Sequence, residues 1–124
     1  MEAIKTNNAP KAIGPYSQAI AYKDLIFVSG QIAINPATGN IEGSTIEEQT
    51  DRVLKNMEAI LAAAGSSISK TVKCTVFLSD MNDFAPFNAV YAKRFGEMPP
   101  ARSTVQAARL PRDVKIEIEA IAFR

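Results

Sequence analysis

Apolar positions recur along this chain with two periods, and the switches between them mark out its elements. The run Leu25-Ile26-Phe27-Val28-Ser29-Gly30-Gln31-Ile32-Ala33-Ile34 is β-branched and apolar, and Asn35-Pro36-Ala37-Thr38-Gly39-Asn40 supplies turn residues after it. This predicts a buried pair of strands and a turn. Ser44 and Glu47 then stand at capping-box spacing, and Ile46, Val53, Met57, Ile60, Leu61 and Ala64 recur at helical intervals until Gly65. That predicts a long amphipathic helix.

From Thr71 to Leu78 the period returns to two. Val72, Cys74, Val76 and Leu78 fall on one side and Thr71, Lys73 and Thr75 on the other, with Phe77 breaking the polar side. A second helix is predicted over about 83–95: Phe84, Phe87, Val90, Tyr91 and Phe95 make one stripe, Pro86 fits the first turn and Gly96 can end it. Beyond Pro99-Pro100 two strands are predicted, about 103–109 and 114–123, joined across Leu110-Pro111-Arg112-Asp113. Strand runs interrupted by two helices predict an α+β architecture with both helices on one face of a sheet. No repeat or linker divides the chain, so residues 1–124 are expected to form a single domain.

Composition narrows the function classes. Fourteen Lys and Arg against thirteen Asp and Glu leave a formal charge of +1, too small for a field that gathers phosphates, so nucleic acid is not an expected partner. No apolar stretch approaches the roughly 20 residues that span a bilayer, and the N-terminus does not read as a signal peptide. No membrane partner and a cytoplasmic location are therefore expected. The chain contains no histidine and one cysteine, which rules out an intramolecular disulfide, a zinc cluster and any Cys-His or Ser-His couple. Chemistry must come from carboxylates, arginine, hydroxyls, backbone groups and water.

Within Pro100-Ala101-Arg102-Ser103-Thr104-Val105-Gln106, alternation puts Arg102, Thr104 and Gln106 on one face. A guanidinium at a strand start is a planar fork suited to a carboxylate, although such an arginine is more commonly exposed or in a surface ion pair. In Val114-Lys115-Ile116-Glu117-Ile118-Glu119-Ala120 the charged residues lie opposite Val114, Ile116 and Ile118, ordinarily a solvated face. Beside a cationic imine, Glu117 could instead orient or deprotonate a water. Tyr16 and Ser29 are hydroxyls next to turn residues, where backbone can approach a ligand. Asn88 is offset from the apolar stripe and reads most simply as a surface or packing amide. Cys74 reads as an inert core thiol, and Phe84, Phe87 and Tyr91 as core.

The stretch from Pro100 to Leu110, followed by Ile116-Glu117-Ile118-Glu119-Ala120, closely resembles the C-terminal signature of the Rid family, also called YjgF-like. The likeness continues through Ala12-Ile13-Gly14-Pro15-Tyr16-Ser17-Gln18, Val28-Ser29-Gly30-Gln31-Ile32, Val72 to Leu78 and Asn82-Asp83-Phe84. The resemblance implies a chorismate-mutase-like fold, a homotrimer closing a central barrel of sheets, and clefts at the subunit boundaries. It implies hydrolytic deamination of reactive 2-imino acids, of the 2-iminobutanoate and 2-iminopropanoate class, to 2-keto acids and ammonia, with no metal or organic cofactor. By the same resemblance Arg102 clamps the substrate carboxylate with help from the Thr104 backbone N–H, Glu117 holds the hydrolytic water, and Tyr16, Ser29 and Asn88 line the pocket. The chain departs at Thr104, where members of the family often carry cysteine. Competing readings are a non-catalytic sensor of keto acids or similar small carboxylates and, against the charge balance and the lack of histidine, an endoribonuclease.

Overall fold

The two periods are realised as six strands and two helices in a computed structural model that describes residues 1–124. The strands are β1 (Glu2–Ile4), β2 (Ala19–Tyr22), β3 (Leu25–Gln31), β4 (Thr71–Leu78), β5 (Ala101–Gln106) and β6 (Ile116–Phe123), and the helices are α1 (Ile46–Ala63) and α2 (Phe84–Phe95). They form one sheet in the order β1-β2-β3-β6-β4-β5. Every neighbouring pair is antiparallel except β4 and β5. A parallel pair needs a crossover, and α2 supplies it.

One face of the sheet carries the core. Ile26 and Val28 of β3, Cys74, Val76 and Leu78 of β4, and Ile116, Ile118, Ala120 and Ala122 of β6 are buried together with Val53, Leu54, Met57, Ile60 and Leu61 of α1 and Phe87, Tyr91 and Phe95 of α2. Arg94 ties the two helices through Asp51 at 2.7 Å and Glu58 at 2.6 Å. The α+β arrangement with both helices on one face thus agrees with the expectation from the sequence. Neither helix is long and apolar enough to cross a membrane. The opposite face has no helix over it and leaves apolar side chains open, among them Phe27 at 41% and Val105 at 47% exposure.

Four local expectations are corrected. Of the pair of strands expected over Leu25–Ile34 only one forms, ending at Gln31, and its continuation pairs only through one bridge, Ile34 to Ile41. The ladder breaks because the register shifts between Val28 and Gln31, and because the buried Asn56 amide donates to the Ile32 and Ile34 carbonyls at 3.2 and 2.9 Å, replacing ladder bonds. The N-cap of α1 is Thr45, not Ser44. Thr45 Oγ1 accepts from the Glu48 N–H at 3.2 Å and donates to the Glu48 carboxylate at 2.9 Å, while Gly43, at φ 93°, still turns the chain into the approach.

On β4, Val72 is half exposed and Thr71 is buried, the reverse of simple alternation. A register shift between Thr71 and Lys73 inserts an extra residue opposite β6 and flips the pattern for that step. The last two strands depart in part from the predicted bounds, although β6 ends at Phe123 as expected. β5 starts earlier and stops at Gln106, β6 starts at Ile116, and the intervening turn holds Arg112 and Asp113 at φ 55° and 56°.

Candidate functional site

The open side of the sheet contains a cleft of about 560 Å³ whose walls come from the segment before β2, the end of β3 and the middle of β6. Gln18 fixes the first wall. Its buried amide accepts from the Thr6 N–H at 2.8 Å and donates to the carbonyls of Thr6 and Pro10 at 3.0 and 2.7 Å, so the chain before β2 is tied down without secondary structure of its own. Tyr16 follows a tight turn in which its N–H donates to the Gly14 carbonyl, and its hydroxyl accepts from the Ile13 N–H at 3.3 Å. The ring is half exposed at the cleft. Ser29 faces the same space; its hydroxyl donates to the Ser17 carbonyl at 2.6 Å and binds the two walls together.

Glu117 lies across the floor beside Gly30. A Cβ on Gly30 would stand 2.8 Å from the Glu117 carboxylate oxygen, so the carboxylate occupies the space a side chain would need. Burial pushes the Glu117 carboxyl above its ordinary value, and the neighbouring Glu119 carboxylate pushes it the same way. A carboxylate with enhanced proton affinity, in a cleft it shares with the Tyr16 and Ser29 side chains, can accept a proton from water and return it. Lys11 and Arg112 stand on the rim, Arg112 held by a hydrogen bond to the Gly39 carbonyl at 3.0 Å.

Arg102 is on the other side of the sheet. It pairs with Cys74 in the β4–β5 register and points toward α2, where its guanidinium carbon lies 4.8, 5.1 and 5.6 Å from the ring centres of Tyr91, Phe87 and Phe84. The expectation of a surface ion pair does not hold. Of the six arginines, Arg102 alone forms no ion pair or hydrogen bond within the chain. Thr104 shares its face of β5, and the Thr104 hydroxyl is shielded without a hydrogen-bond partner. Asn88 is half-buried on α2 at i+4 from Phe84 and three residues before Tyr91, which puts it on the helix face that meets Arg102. Burial pushes the Cys74 thiol up, in keeping with an unreactive core residue.

The six residues singled out in the sequence therefore fall into two groups. Tyr16, Ser29 and Glu117 gather in the open-face cleft; Arg102 and Thr104, with Asn88, gather beneath α2. One chain does not bring Arg102 and Glu117 together, because Cys74↔Arg102 and Phe77↔Glu117 are pairs of opposite parity along β4 and point to opposite sides of the sheet. Three features escaped the sequence reading: the Gln18 staple, the Gly30 seat and the ring box around Arg102. Only the box had a visible signal, since Phe84, Phe87 and Tyr91 were recognisable as one helix face. No set of three cysteine, aspartate or glutamate side chains converges as a metal-ligand group.

Comparison with known proteins adds to this geometry. Residues 6–124 match the family model described as Endoribonuclease L-PSP. A RutC family protein of Pyrococcus horikoshii is 57% identical over 123 residues, which cover 99% of this chain and 98% of that protein. The chloroplastic Reactive Intermediate Deaminase A of Arabidopsis thaliana is 50% identical over 121 residues, covering 98% of this chain and 65% of the relative. The crystal structure of E. coli TdcF with bound serine is 48% identical and superimposes with a TM-score of 0.96, covering 100% of this chain and 99% of that one.

Proposed function

The chain belongs to the Rid, or YjgF-like, family, and on that footing we propose that it hydrolyses reactive 2-imino acids of the 2-iminobutanoate and 2-iminopropanoate class to 2-keto acids and ammonia. The observation that carries this reading is the complementarity of the two half-sites. One offers a carboxylate of raised proton affinity in a cleft, and the other offers a guanidinium with no acid partner.

In this reading Arg102 grips the substrate carboxylate as a planar fork, with the backbone N–H of Thr104 assisting. The protonated imine carbon is already electrophilic, so the protein has only to anchor it, place a water and move a proton. Glu117 takes a proton from the attacking water as the new C–O bond forms, giving a carbinolamine. It then passes that proton to the nitrogen; ammonia departs as the C–N bond breaks, Glu117 takes up the hydroxyl proton as the oxygen becomes the carbonyl of the keto acid, and ammonia carries that proton away as ammonium. Tyr16, Ser29 and Asn88 line the substrate's surroundings. The Thr104 side chain has no step to perform, so the absence of cysteine there leaves the scheme intact.

Since the half-sites lie on opposite sides of one sheet, the complete site in this proposal is shared between copies of the chain assembled as a homotrimer. The open sheet face, with Phe27 and Val105 exposed, supports such an assembly by leaving apolar area to be covered. The substrate is a small molecule in this reading; nucleic acid and membranes take no part, and the cytoplasm is its setting.

The test couples threonine dehydratase, which releases the imine, to the purified protein and follows ammonia and 2-oxobutanoate. Release faster than in buffer is expected; no acceleration by the intact assembly would reject the enzyme reading. A sensor that binds a small carboxylate without turning it over is the second reading, favoured by the serine held in TdcF. It needs the Arg102 half-site but not a proton-transferring Glu117.

A further inference from the structure

We propose that Tyr91 and Phe87, with Phe84 as the outer ring, are positioning residues that hold the Arg102 guanidinium ready for an incoming carboxylate; the proposal rests on the reading of Arg102 as the substrate clamp. Positions 84, 87 and 91 share one face of α2, and Arg102 extends beneath them from β5, so helix and strand meet at this side chain. All three rings lie within the roughly 6 Å over which an aromatic face attracts a cation.

The choice of partner matters. Arg94, between the two helices, is held by two carboxylates that claim its N–H groups and offset its charge. Rings attract the cation through their π faces, neutralising nothing and leaving the N–H donors along the guanidinium edge free. A carboxylate in their place would have to be displaced before substrate could bind. Tyr91 can serve as such a ring because a phenol is neutral near neutral pH and so does not become an anion competing for Arg102; burial only pushes it further from ionising. The box is itself braced: Tyr91 packs against Phe87 and Phe95 with centroids 5.2 and 4.5 Å apart, and Phe87 is fully buried.

The experiment uses the full-length protein in its native assembly, labelled with 15N-arginine. The Arg102 Nε–Hε resonance, identified by its loss in Arg102→Lys, should be displaced upfield by ring currents. It should remain so in Tyr91→Phe and relax toward the other arginines in Tyr91→Leu. Calorimetric titration with 2-oxobutanoate should show affinity weakened about three- to tenfold in Tyr91→Leu and by a smaller factor in Phe84→Leu, with Tyr91→Phe close to the parent. In turnover the loss should fall on KM rather than kcat.

Phe84 is about one-third exposed, so Phe84→Leu remains a usable variant if Tyr91→Leu does not fold. An unshifted resonance, or unchanged 2-oxobutanoate affinity in every folded leucine variant, overturns the proposal. If Arg102→Ala binds 2-oxobutanoate normally, the clamp reading itself fails, while the resonance still reports whether the rings hold the guanidinium.

Discussion

Gly30→Ala probes the seat of Glu117 without replacing any ionisable residue. The added Cβ would stand 2.8 Å from the Glu117 Oε1, 2.9 Å from Cδ and 3.1 Å from Cγ. Those separations fall short of ordinary contact by about half an ångström, so something must move. Gly30 does not have a positive φ, so alanine brings no left-handed strain, and the group in the way is the end of a flexible side chain. The carboxylate should therefore yield while the fold stays. A displacement on the order of 1 Å at a reacting group can cost about 100-fold in rate, so a fall in kcat of about 10- to 100-fold is expected, with thermal stability changed by about 1 kcal/mol or less.

A second readout follows from where the carboxylate goes. Burial is the main cause of its raised pKa, and a side chain pushed toward the cleft mouth regains water. If ionised Glu117 is the base, activity falls as pH drops through its pKa. The acid limb should then move to lower pH in Gly30→Ala. The assay is the coupled imine reaction across pH, with thermal denaturation as the control. A stable Gly30→Ala protein with parental kcat and an unmoved acid limb would refute the assignment of Glu117 to proton transfer.

Glu117→Gln should lower turnover roughly 100-fold while leaving 2-oxobutanoate affinity nearly unchanged, measured by the coupled assay and calorimetry. The same substitution bears on stability. A carboxyl whose folded pKa is raised favours folding most below its unfolded pKa and loses that contribution as pH rises through the folded value, so Glu117→Gln should gain on the parent in denaturation midpoint as pH increases across that interval. Arg102→Ala should abolish measurable 2-oxobutanoate binding, and Arg102→Lys should recover only part of it, because lysine keeps the charge and loses the planar fork. Light scattering should report three chains, and a monomer with full activity at high dilution would remove the shared-site proposal.

Side-chain direction in β6 and on α2 was legible in the sequence alone. The period-two pattern of Ile116 to Ala120 already separated Glu117 from the buried side, and the helical spacing of Phe84, Phe87 and Tyr91 already put them on one face, because side-chain direction within a strand or helix follows local backbone geometry. The resemblance named all six candidate residues, though not which of them one chain unites. That was decided by register between strands far apart in sequence: Arg102 pairs with Cys74 and Glu117 with Phe77, and the odd offset along β4 sends them to opposite sides of the sheet. Alternation labels the two faces of each strand but cannot say which label its neighbour shares. The same limit explains Val72, turned outward by a shift in pairing with β6, and Gly30, whose need for a bare Cα comes from a side chain 87 positions away. Local pattern sets direction; only the docking of distant segments decides what each side chain meets.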